Sequence, residues 1–199
     1  MLLPFEAHNP VWKDRFKIIR QELNEILSDF QISIEHIGST SVEGLSAKPI
    51  IDIMVGMNRE SDLADVPALL MDKGYIYYEM YNITMPYRRF FVLLTNRLLN
   101  SRLPSQIRQG NEIPELLQDH TLRKAHIHVL PRNSSHWQRH IAFRDYLQTH
   151  PTVKEEYQAL KEKLTKQVWR DGNEYNEAKN AFIKVVEKKA LKWQSTQLK

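Results

Sequence analysis

Residues 36–53 read HIGSTSVEGLSAKPIIDI, and the order of their chemistry decides how the rest of the chain is read. The extended run ISIEHIG (32–38) ends in a glycine followed by three hydroxyl residues. A glycine at a strand end lets the backbone approach a ligand closely, and the N–H groups and hydroxyls of the next turn can donate to an anion. Gly38, Ser39, Thr40 and Ser41 are therefore candidate phosphate-binding residues, although an ordinary capped turn has the same composition. The run KPIIDIMVGM (48–57) reads as a buried strand broken by Asp52, with Pro49 tolerated at its start. Strand alternation puts Ile50, Asp52 and Met54 on one face. An acid in such apolar surroundings is paired, hydrogen-bonded or metal-bound. Asp52 is thus a candidate metal ligand and catalytic acid, with a salt bridge to Lys48, Arg88 or Arg89 as the competing role.

Working outward, Val11, Phe16, Ile19, Leu23, Ile26 and Leu27 fall near helical spacing and predict an amphipathic helix over 11–30, capped by Asn9 and opened by Pro10. A short helix over 60–75 is expected to stop at Gly74. The aromatic and β-branched runs 75–80, 87–95 and 125–130 predict three further strands. Residues 96–121 lack periodicity beyond one helical turn around PELLQD. The expectation is a mobile loop near the mouth of the site. From Ser134 onward three helices follow with short joins, the second starting at Pro151 and running to Gly172, the third capped by Asn173. One domain over 1–199 is expected, with a core at about 11–131 and appended helices at about 134–193.

The chain has 199 residues, no cysteine and a net charge of +4, which excludes a disulfide framework and a thiolate metal site. The basic residues are interleaved with acids on the C-terminal helices and form no concentrated stripe, so nucleic acid is not the expected partner. No apolar run reaches the roughly 20 residues of a membrane helix, and the N-terminus does not read as a signal peptide. A cytoplasmic protein is expected.

His126 and His128 lie two apart on a predicted strand and share a face. Beside Asp52 they would make a two-histidine, one-carboxylate metal set, or one could act as general base. A pair simply hydrogen-bonded between sheet and helices is the alternative. Of Arg88 and Arg89, alternation turns one toward the site, where it could clamp phosphate. Arg144 and Asp145 are expected to pair across packed helices.

The block HIGSTSVEGLSAKPIIDI, followed in order by RRFF, HIHV, FRDYL and YQALK, resembles the GrpB family, a branch of the polymerase-beta-like nucleotidyltransferases, from Val11 to about Lys189. The resemblance implies an α+β fold, a nucleotidyltransferase-like mixed sheet flanked by helices, with further helices packed on it at the C-terminus. It also implies a glycine-serine turn followed by two strand acids, Asp-x-Asp or Asp-x-Glu, that hold divalent metal on a nucleotide. This chain departs from that pattern, because the position two before Asp52 is Ile50 and the position two after it is Met54. The expected activity is metal-dependent nucleotidyl transfer from a nucleoside triphosphate to a small-molecule or protein acceptor. The metal would be Mg²⁺, Mn²⁺ or Zn²⁺ on Asp52, His126 and His128. His128 or Asp52 would be catalytic, and Lys48 with Arg88 or Arg89 would neutralise phosphate. The alternative is a catalytically weakened accessory domain that binds a nucleotide or a partner.

Overall fold

β1 (Ile32–Ile37), β2 (Ile51–Met57), β3 (Ile76–Tyr77), β4 (Arg89–Leu94) and β5 (Arg123–Pro131) form one sheet in the order β1-β2-β5-β4-β3 in the computed structural model. The structure describes residues 4–169 and 172–197. The expected Asn173 cap lies outside the described side chains. β2 and β5 run parallel and every other neighbouring pair is antiparallel, so the sheet is mixed.

The period of two separates the faces. Ile51, Ile53, Val55, Phe91, Leu93, Ile127 and Val129 point one way and are fully buried. They pack beneath α1 (Val11–Ile26) and α2 (Val66–Asp72), which contribute Trp12, Ile19, Leu23, Val66 and Leu70 to the same core. α1 starts as expected: the Asn9 side chain accepts from the Val11 N–H at 3.0 Å.

The opposite face is apolar only at its two ends. Ile37, Met54 and Leu130 pack against Trp137 and Ile141 of α4 (Ser135–Thr149). Ile76, Tyr78, Phe90, Val92 and Leu94 pack against Ile107 and Leu117. The polar residues of β2 and β5 lie between these patches.

Ile107 and Leu117 correct one expectation. Residues 96–121 are not a free lid, because both side chains are fully buried and the backbone at 105–107 bonds to Tyr77 and Met80. The anticipated turn is present as α3 (Glu115–Gln118). The same pairing shortens β3 to two residues, since Met80 N–H turns to the Ile107 carbonyl and the chain leaves the sheet. α4 has its serine cap, with Ser134 Oγ accepting from Trp137 N–H. α5 (Pro151–Thr165) ends earlier than the expected Gly172, and the Trp169 indole folds back to donate to the Leu164 carbonyl at 2.8 Å. The same carbonyl, one of those at a helix end without an intrahelical partner, also accepts from the Gln167 N–H at 3.2 Å. α6 (Gly172–Gln197) packs on α4 and α5. Their shared core takes in Val42 and Leu45 from the segment after β1.

Candidate functional site

Strand register builds the site. Asp52 on β2 and His126 on β5 are direct partners across the parallel ladder, and His128 follows on the same face. His126 Nδ1 lies 3.1 Å from Asp52 Oδ1. His128 Nε2 lies 3.9 Å from the same oxygen, beyond direct hydrogen bonding.

Two arginines fix the tautomers. Arg123 Nη1 stands 3.3 Å from His126 Nε2, and Arg88 Nη1 stands 3.1 Å from His128 Nδ1. A guanidinium only donates, so each of these ring nitrogens accepts and the opposite nitrogen carries the proton. His126 therefore donates Nδ1–H to Asp52, and the Nε2–H of His128 faces the same carboxylate. Burial keeps both imidazoles below their ordinary range, His128 at about 4, so both are neutral at pH 7. Burial pushes the Asp52 carboxyl up, but the hydrogen bond from His126 and the nearness of His128 outweigh it and hold the group below the usual carboxylate range.

This polarity opposes the metal set expected of Asp52, His126 and His128. An ion bound by these rings would need lone pairs on the nitrogens facing Asp52. Each proton would then move to the nitrogen that already meets an arginine N–H, placing donor against donor. Metal-bound histidines ordinarily give their outer N–H to an acceptor; here the outer partner is a cation. Among the described residues no group of three His, Asp or Glu is placed to hold an ion. Nor does a second acid join Asp52 directly: Glu35 pairs with Arg144 at 2.7 Å, as Arg144 also pairs with Asp145, and Glu79 accepts from Gln106. Glu112 is the other described acid lining the same cleft.

The Gly38–Ser41 turn abuts the carboxylate. Gly38 has φ 70° and ψ −175°, and a Cβ there would stand 2.6 Å from Asp52 Oδ2. That backbone region is essentially glycine-only. Gly38→Ala is accordingly expected to lower folding stability by about 2 kcal/mol, read as a lower urea midpoint with an unchanged slope; an unchanged midpoint would mean that the turn yields freely. Ser39 lines the Asp52 cleft. Thr40, though it borders the same cleft, holds its hydroxyl 3.0 Å from His36 Nε2. Ser41 donates to the Gly38 carbonyl at 2.6 Å and faces a separate cleft beside α1. Of the three hydroxyls only that of Ser41 bonds within the turn; Thr40 meets His36 on β1, and Ser39 meets the Tyr157 hydroxyl of α5.

Lys48 and Arg88 line the cleft with Asp52. Arg89 does not; its guanidinium donates to the Pro86 carbonyl at 2.8 Å on the other side of the strand. Four residues absent from the sequence-based site also converge here: His120, Arg123, Lys161 and Lys179. His120 comes from the segment expected to be a lid, whose residues 111–113 do border the cleft. Lys161 had a signal in its spacing, four after Tyr157 and three before Leu164, on the face of α5 that is buried. The cleft holds about 750 Å³, with Met80, Met85, Phe90 and Ile113 at one end and the lysines at the other. Arg88 Nε and Arg123 Nε are buried with no hydrogen-bond partner.

A five-stranded mixed sheet with helices on both faces and a glycine-serine turn against a strand carboxylate fits a nucleotidyltransferase-like fold. Within that class the chain belongs to the GrpB family, whose model, described as GrpB protein, matches residues 4–189. It is 29% identical over 178 residues to the glutamate-rich protein GrpB of Alkalihalophilus pseudofirmus, covering 89% of each chain. It is 28% identical over 186 residues to the UPF0157 protein YqkA of Bacillus subtilis, covering 94% of this chain and 46% of YqkA. The crystal structure of conserved protein GrpB from Enterococcus faecalis superposes with a TM-score of 0.73 at 29% identity, covering 96% of this chain and 98% of that one. No helix among the described residues is long and apolar enough to cross a membrane.

Proposed function

We propose that the chain binds a nucleotide in the Asp52 cleft without a metal ion, as a binding or accessory module. The observation that carries this reading is the imbalance of charge. Lys48, Arg88, Arg123, Lys161 and Lys179 share the cleft with two carboxylates, Glu112 and the Asp52 that His126 already satisfies, and among the described residues none of the five lies in an ion pair. Unpaired guanidinium and ammonium groups in a recess are suited to phosphate. The apolar end at Met80, Met85 and Phe90 offers room for a base. YqkA, in which the matched region is 46% of the chain, fits a module that works joined to other sequence.

The test is thermal unfolding with ATP and GTP, first in chelator and then with Mg²⁺, Mn²⁺ or Zn²⁺. A shift in chelator is expected; ligand at a hundred times its dissociation constant adds about 2.7 kcal/mol. Lys48→Met should weaken the response about tenfold in affinity. A shift that requires metal, with transfer of label from [α-³²P]ATP, would instead establish the transferase reading. The glycine-serine turn beside Asp52 is what favours that second reading.

A further inference from the structure

The lysine end of the cleft has a construction of its own. Lys48 precedes β2, Lys161 lies on α5 and Lys179 on α6, so three separate elements deliver three ammonium groups to one place. Aromatic rings hold them there. Lys48 Nζ sits 4.8 Å and Lys179 Nζ 4.2 Å from the centre of the Tyr175 ring. Lys161 Nζ sits 4.9 Å from the Tyr157 ring, its side chain 2% exposed, and donates to the Ser46 carbonyl. Ring faces attract cations without cancelling their charge. Among the described residues no carboxylate comes within ion-pair distance of any of the three; burial pulls Lys48 and Lys179 down to about 8 and Lys161 to about 7, with repulsion from Lys179 adding to it at Lys48 and Lys161. Burying ammonium groups together without a counter-charge is costly unless something anionic occupies the space between them.

We propose that Lys48, Lys161 and Lys179 form an anion subsite for the terminal phosphates of a di- or triphosphate, so that the ligand's tail ties α5 and α6 to the sheet. The proposal extends the nucleotide reading and selects within it. Five cations line the cleft against two carboxylates, Asp52 and Glu112. A single phosphate group brings about −2 at neutral pH and leaves part of that surplus unmatched; a polyphosphate chain matches it.

Inorganic tripolyphosphate tests the subsite apart from any nucleoside. Calorimetric titration in chelator at pH 7 should show tripolyphosphate binding at least tenfold more tightly than orthophosphate. Lys161→Met and Lys179→Met should each weaken it about tenfold, while Lys188→Met, an exposed position on α6 that removes the same formal charge, should leave it unchanged. Melting curves establish that the variants are folded. Tripolyphosphate that binds no better than orthophosphate, or that binds Lys161→Met and Lys179→Met as it binds Lys188→Met, overturns the subsite. Tripolyphosphate binding that depends on the lysines, with no response to ATP or GTP, keeps the subsite and removes the nucleotide.

Discussion

Asp52→Asn is expected to bind ATP about a hundredfold more tightly than the unmodified chain in chelator at pH 6.5. With the His126 bond in place, Asp52 stands as an ionised carboxylate amid the cations, and it repels an incoming phosphate. One unit charge about 6 Å from another at an effective dielectric constant of about 20 is worth roughly 2.8 kcal/mol, or two decades in affinity. Asparagine keeps the size of the side chain, and its amide oxygen still accepts from His126 Nδ1–H. The lower pH keeps the lysines protonated when the carboxylate that supports their charge is removed. A metal-dependent site predicts the opposite sign, because the same change removes a ligand. Weaker binding by Asp52→Asn, restored in neither chelator nor metal, would end the metal-free reading.

Without ligand, folding stability is expected to rise by about 3 kcal/mol between pH 7 and pH 9. An unfolded lysine titrates near 10.4, whereas Lys48 and Lys179 are held at about 8 and Lys161 at about 7 in the fold. Across this window the unfolded chain binds more protons than the folded one, so raising the pH favours the fold. The magnitude is reduced below the full linkage value because Lys48 and Lys179 are partly open to solvent. The depressed histidines, such as His128 and His120, exert their effect below pH 6.5 and do not oppose the trend. Lys161→Met should remove a large share of the slope and stabilise the chain at pH 7 by about 1–2 kcal/mol. Saturating tripolyphosphate should flatten the slope by keeping the lysines charged. Urea unfolding at pH 7, 8 and 9 measures all three effects; a flat or falling profile would show that the lysines are solvated in the fold.

The two-residue period made β1, β2, β4 and β5 legible in the sequence, and with them the meeting of Asp52 with His126 and the divergence of Arg88 from Arg89. Those contacts follow from register alone. The anchoring of residues 96–121 was not legible, because Ile107 and Leu117 are single apolar residues whose burial depends on the surface of β3 and β4 opposite them. Arg123 escaped notice because it precedes the apolar part of β5, and its partner is fixed by the strand's pairing. Lys179 lies among many lysines on α6, where helical charge patterning looks like an ordinary solvated face, and Lys161, though its spacing puts it on the buried face of α5, carries no mark of a shared cleft. Only the packing of both helices brings these two together.

The sheet order also bears on synthesis. β5 is the last strand to leave the ribosome, yet it sits in the centre, between β2 and β4. Until residue 131 has emerged, IDIMVGM and RFFVLL each present an unpaired, strongly apolar edge, the kind of template on which nascent chains associate wrongly. Asp52 and His126 are 74 residues apart, so their pairing must also overcome a long loop closure. Insertion of β5 is thus the step that closes the sheet and creates the cleft together. A nascent chain stalled before it has the α1–β1–β2 layer but no recess, and it is the species on which a chaperone would act.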